Sequence, residues 1–224
     1  MTGLRIFEII QQSEDPNQAR KYDLNTCRLN LEAEIDGLRV HELNASQLKE
    51  LKIELQSMTL FGTSDRKPSF VPAPVDCARQ VKNSWSFSTF HSGFVVLEDM
   101  LWSAKDVGFY VPYKSAVIYN NLDWNDQHIL RGELLIILRL MSGQLQKRRF
   151  LHHMKAPLLI ISFMGKFGRV IEAYFDGQSL ILGCTKLYSF RSQTSTAFRD
   201  SAEWYLSNPV GNTVQVIHGS SLLF

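Results

Sequence analysis

Leu158-Leu-Ile-Ile-Ser-Phe-Met164, Gly165-Lys-Phe-Gly168, Arg169-Val-Ile-Glu-Ala-Tyr-Phe175, Asp176-Gly177 and Ser179-Leu-Ile-Leu-Gly-Cys-Thr185 follow one another with only Gln178 left between them. Short runs rich in β-branched and aromatic residues, separated by glycine-containing turn signals, read as three antiparallel strands of a meander. A two-residue turn at Asp176-Gly177 sets Ile171 opposite Leu182 and Ala173 opposite Leu180, which keeps these apolar side chains on one face. That face needs a cover, and the run just before it supplies one. From Gln127 to about Gln146, Ile129, Leu130, Leu134, Ile137, Leu138, Met141 and Leu145 recur at helical intervals after the start signal Asp123-Trp-Asn-Asp126. Pro157 then forbids the helix from continuing. A long helix packed on an antiparallel sheet is an α+β architecture.

Working towards the N-terminus, Cys27, Leu29, Leu31, Ala33 and Ile35 alternate with polar residues, the period of a half-buried strand. Asp36-Gly37 then reads as the turn of a β-hairpin that returns through Leu38 and Val40. Asn44 or Ser46 can cap a helix whose stripe is Leu48, Leu51, Leu55 and Met58, and residues 4–12 have the spacing of a short leading helix. The segment from Thr59 to Asp76 collects Gly62, Pro68, Pro72 and Pro74 and reads as a linker. The expected division is therefore residues 1–58, a connection over 59–76, and a main domain over 77–224, unless all of it is one domain. Towards the C-terminus, Phe198, Ala202 and Tyr205 suit a helix, and Thr213 to His218 a final strand.

Composition excludes several classes. With 45% apolar and 21% charged residues the chain is neither disordered nor collagen-like, and 24 basic against 22 acidic residues identify no partner. Leu134 to Leu138 and Pro157 to Phe163 are too short to span a bilayer, and Glu8 interrupts the opening before an apolar stretch of signal-peptide length develops. Cys27, Cys77 and Cys184 are odd in number and form no CxxC pair, which suits buried free thiols in a reducing compartment. The expected location is cytoplasmic or nuclear, with no membrane partner.

Candidate chemistry is sparse. There is no HExxH, and the adjacent His152 and His153 point different ways, so no metal ligands are assigned. Ser162 lacks the glycines of a nucleophile elbow. Gly165-Lys-Phe-Gly168 resembles the GXXG loop of KH domains, which clamps a nucleic-acid backbone, but leaves little room for the second helix of that motif before Asp176-Gly177 and reads better as a hairpin turn. Lys147, Arg148, Arg149, Lys155, Lys166 and Arg169 would form a phosphate-binding surface if they shared one face. Trp85, Phe87, Phe90 and Phe94 would suit a protein partner or apolar ligand if exposed.

Two further resemblances bear on function. A helix carrying Glu133, followed by strands carrying Glu172 and Asp176, resembles the order of PD-(D/E)XK nucleases, which implies Mg²⁺ held by these carboxylates. Tyr174 stands where that motif has its lysine, and Leu158 to Met164 contains no acid. Over about residues 126–190, Ala156 to Gly165, Arg169 to Gly177 and Thr185-Lys-Leu-Tyr-Ser-Phe190 resemble a block of uncharacterised intracellular proteins of filamentous fungi, which implies no activity. The leading expectation is a non-catalytic binding or scaffolding protein with a protein partner and no cofactor. The alternatives are a nucleic-acid-binding protein, catalytic only with Mg²⁺, and a small-molecule enzyme with a pocket between helix and sheet.

Overall fold

The computed structural model describes residues 16–60, 69–77, 114–120, 126–145, 157–176, 178–190 and 196–210. The elements are α1 (Pro16–Gly37), β1 (Glu42–Leu43), α2 (Ala45–Glu50), β2 (Ile53–Ser57), β3 (Phe70–Val71), β4 (Lys114–Asn120), β5 (Ile129–Leu130) and α3 (Arg131–Leu145). They continue with β6 (Leu158–Met164), β7 (Phe167–Phe175), β8 (Leu180–Cys184), β9 (Tyr188–Ser189), α4 (Thr196–Tyr205) and β10 (Asn208–Pro209). The fold is α+β, as the periodicities imply. The leading helix at 4–12, the final strand at 213–218 and the aromatic segment from Trp85 to Phe94 lie outside the described residues.

The meander forms as expected, and β7 is antiparallel to both β6 and β8. Its first turn is tight: Met164 faces Phe167 across Gly165 and Lys166, and Gly165 takes φ +59°, the conformation that hairpin turns of this length assign to glycine. The second turn is longer than two residues. Phe175 pairs with Leu180, so Ala173 faces Leu182 and Ile171 faces Cys184. Asp176 makes the longer loop, its Oδ1 accepting the N–H groups of Gln178 and Ser179 at 2.8 Å each. The register thus differs from the expected one by an even number of residues, and the same side chains still face the core.

The sheet extends beyond the meander in a way that alternation did not announce. Its order is β2-β8-β7-β6-β4, with β9 on β7. Because β2 is parallel to β8 and β4 is parallel to β6, the sheet is mixed, and β7 runs against its neighbours. The chain passes from β4 to β6 through α3, the crossover that a parallel pair requires. Every residue of β6 is buried, the pattern of a strand covered on both faces. On one side Leu158, Ile160, Ile171, Ala173 and Leu182 pack with Leu134, Ile137, Leu138 and Met141 of α3. On the other, Leu159, Ile161, Phe163 and Val170 pack with Ala197, Trp204 and Tyr205 of α4. Burying each large apolar side chain fully is worth about 1.5–3 kcal/mol, so both layers contribute.

Three N-terminal expectations are corrected. Residues 27–37 form no hairpin but the end of α1: Leu31 and Ile35 are buried with Arg28, whereas Leu29 is 44% exposed and Cys27 lies in solvent. Spacings of three and four won over the strict alternation because α1 packs one stripe on α3. The run is also rich in strong helix formers such as Leu, Glu and Ala. Arg131 closes the α1 end by donating to Ile35 O at 2.9 Å and to the Asp36 carbonyl, while Arg139 Nε meets Glu32 at 2.9 Å. Exposure of Cys27 and Cys77, with Cys184 intermediate, likewise replaces the expected burial of all three thiols.

The helix expected to reach Met58 stops at Glu50. Of the two expected caps Asn44 is the one used, and it exchanges hydrogen bonds with Gln47 at 3.0 Å in a capping box. Lys52 then adopts φ +55° and turns the chain into β2, whose Ile53 is 4% exposed and joins the core through pairing with β8. Left-handed backbone costs a side-chain-bearing residue about 1–2 kcal/mol, and glycine almost none. Lys52→Gly is expected to gain up to about 1 kcal/mol in urea unfolding; a loss would show that this residue is not strained. The third correction concerns the linker: Phe70 and Val71 form a strand paired with Pro209 and Asn208, and Ala73 N–H donates to Glu203 O at 2.9 Å. Since Leu31, Leu43, Leu48 and Ile53 share one core cluster with α3 and the sheet, the N-terminal elements belong to the same packed body. Among the described residues no helix is long and apolar enough to cross a membrane.

Candidate functional site

Four strands, β2, β8, β6 and β4, point their carboxyl ends the same way, and this is the end at which sheets with parallel strands tend to bind ligands. Polar residues gather there. Asn120 ends β4 and donates through Nδ2 to Ser162 Oγ at 3.3 Å. Ser162, fully buried, lies beside Arg169 in the β6–β7 register, and above them stands the first turn of α3.

Arg169 and Glu133 are the centre of this group. Both were singled out in the sequence for separate roles, Arg169 for phosphate and Glu133 for metal. The structure joins them to each other. Glu133 is 0% exposed and Arg169 2%; Nε reaches Oε1 at 3.1 Å, the second nitrogen reaches Oε2, and the third donates to His128 O at 2.9 Å. Glu133 Oε2 also accepts the Leu130 N–H at 2.9 Å, closing the α3 N-terminus. Burial pulls the Arg169 pKa down, but the charge and hydrogen bonds of Glu133 outweigh it and leave the guanidinium above its ordinary value. The pair is a buried structural clamp, not an open anion site.

The remaining candidates diverge. Glu172 has the parity of Val170 on β7, placing it on the α4 face, opposite the α3 face that holds Arg169 and Glu133. There it is fully buried, and its Oε1 accepts the Ser69 N–H at 3.1 Å. Asp176 closes the loop at the far end of β7. The three acids expected around Mg²⁺ therefore do not meet, and no metal-binding group of His, Cys, Asp and Glu exists among the described residues. Lys166 is exposed on the hairpin turn, so it and Arg169 share no basic face; Lys147, Arg148, Arg149 and Lys155 lie outside the described residues.

The glycine loop is a hairpin turn and continues into strand, unlike a KH loop. Gly168 serves packing: a Cβ there would stand 2.9 Å from Phe190 Cε2 and 3.0 Å from both Phe163 Cδ1 and Ser162 O. It admits the edge-to-face contact of Phe163 and Phe190, whose centroids are 4.9 Å apart at 73°. Gly168→Ala is expected to cost about 1–3 kcal/mol by overpacking, measured by denaturant unfolding; an unchanged midpoint would mean that these rings move aside freely.

The sequence reading missed two features of this end. Asp126, read as part of a helix start, instead accepts the Leu187 N–H at 3.1 Å, and Thr185 Oγ1 accepts the Val170 N–H at 3.0 Å. Beside them, residues 57–60 and 185–188 diverge after the β2–β8 pair and leave a cleft of about 260 Å³. Lys186 and Tyr188 line it, and burial, with Asp200 nearby, raises the Tyr188 pKa. Fold and site thus define an α+β protein with a mixed sheet and a polar carboxyl end. Comparison with protein-family models, with curated proteins and with solved structures finds no match for the chain.

Proposed function

We propose that the chain is a non-catalytic binding or scaffolding protein of the cell interior whose partner is another protein. The observation that carries this reading is the commitment of the candidate reactive groups to partners inside the fold: Glu133 to Arg169 and Leu130, Glu172 to Ser69, Asp176 to its own loop. Groups so engaged hold geometry, and catalysis needs them convergent on one reacting atom. The cleft of about 260 Å³ falls below the roughly 300–1,000 Å³ of small-molecule sites, and fits one or two side chains of a protein segment. Val71, Val75 and Val210, each 46–50% exposed, add apolar surface of the kind that interfaces use.

The test is retention and cleavage of single- and double-stranded DNA and RNA across a salt series, with and without Mg²⁺. The expected result is no cleavage and no retention that falls steeply with salt. Mg²⁺-dependent cleavage abolished by Glu172→Gln, in a variant that keeps its circular dichroism, would replace this reading with the nuclease one.

A further inference from the structure

We propose that β2 is a self-association edge, on which a second copy of this chain pairs antiparallel about a two-fold axis through Leu55. The argument starts from backbone hydrogen bonds. Leu180 N–H donates to Lys52 O at 3.1 Å and Met58 N–H to Cys184 O at 2.9 Å. In a parallel pair, residues of one parity turn both N–H and C=O towards the neighbouring strand. Lys52, Glu54, Gln56 and Met58 therefore face β8, and Ile53, Leu55 and Ser57 turn their N–H and C=O groups outward. Among the described residues β2 pairs with β8 alone, so this outward row is a template for another strand. Glu54, Leu55 and Ser57 are exposed, Leu55 at 36%.

The identity of the occupant follows from what the edge would place opposite itself. Antiparallel pairing centred on Leu55 sets outward residue against outward residue: Leu55 on the partner's Leu55, and Ile53 on the partner's Ser57. Glu54 then faces the partner's Gln56, a carboxylate beside a neutral amide. The same chemistry already operates within the strand, where Gln56 Nε2 donates to Glu54 Oε1 at 3.3 Å. No like charges oppose each other, whereas centring the pair on Glu54 would set two carboxylates face to face, a destabilising arrangement. A sequence that complements its own reverse is what an isologous two-fold interface demands. The two sheets would join into one continuous sheet through β2, and Leu55 would leave solvent.

Sedimentation velocity of the purified chain under reducing conditions tests this. The expected result is a concentration-dependent dimer. Leu55→Pro removes an N–H that points outward and leaves the β2–β8 bonds intact, so it should shift the protein to monomer while thermal unfolding stays cooperative. Should that variant fail to fold, Gln56→Glu gives the same readout, because it sets like charges opposite at both Glu54 contacts. Leu55→Cys should cross-link to its own copy on oxidation, since hydrogen-bonded antiparallel pairs stand about 5.5 Å apart at Cα, within disulfide reach. A wild-type chain that stays monomeric at its highest attainable concentration overturns the proposal. So does a dimer that persists in both Leu55→Pro and Gln56→Glu.

Discussion

Arg169→Met is expected to lower the unfolding free energy by about 3–5 kcal/mol, because it leaves the Glu133 carboxylate buried without its counter-charge. Against a typical total of about 5–15 kcal/mol for a domain, that is a large fraction. The loss should belong to the orphaned charge more than to the missing contact. Adding Glu133→Gln to Arg169→Met should therefore recover most of it, since the amide oxygen can still accept the Leu130 N–H and no charge remains to be desolvated. Urea unfolding of the wild type, both single variants and the double variant forms the cycle that measures this coupling. Additive losses in the double variant would mean that the two side chains stabilise the protein independently, contrary to their geometry.

The second large effect is expected on the opposite face of the sheet. Trp204 of α4 is 2% exposed and packs with Val117, Leu159, Ile161 and Phe163. Trp204→Ala should cost about 3–5 kcal/mol through lost burial and the cavity left behind. Trp204→Phe should cost clearly less, because most of the ring contact survives. Equal losses in both variants would indicate that the indole N–H, and not the packed area, holds α4 in place. The same unfolding experiment reads both variants. A small effect of Trp204→Ala would mean that α4 contributes little to the cover of this face.

Much of the candidate site was visible as residue types and almost none of it as an arrangement. Glu133 and Glu172 drew attention through the order of acids along the chain, and Arg169 as one of six basic residues that could bind phosphate. Their partners could not be read off: Arg169 lies 36 residues from Glu133, and Glu172 lies 103 residues from the Ser69 N–H it accepts. Parity along β7 predicts that Arg169 and Glu172 point to different faces, but not which helix waits on each. Even the local Leu130–Glu133 contact was hidden, because the helix was expected to start at about Gln127, whereas Ile129 and Leu130 form β5 and α3 starts at Arg131.

The N-terminal region shows the same limit from the other side. Residues 27–35 satisfy a period of two and also hold a stripe at Arg28, Leu31 and Ile35, and the strong helix formers of the segment favour the second without settling the choice. What decides is α3, which offers Arg131 and Arg139 to the end and side of a helix. By itself the sequence determined the features governed by interactions a few residues apart. These are a capped helix start at Asn44 or Ser46, the α3 stripe from Leu134 to Met141, the Gly165 turn, the three meander strands and the faces they bury. Only the tertiary structure decided that β2 and β4 join in parallel, that α4 covers the second face and that Arg169 serves Glu133. Those outcomes depend on which distant surfaces meet, and that choice is made by summing burial and pairing over the whole chain.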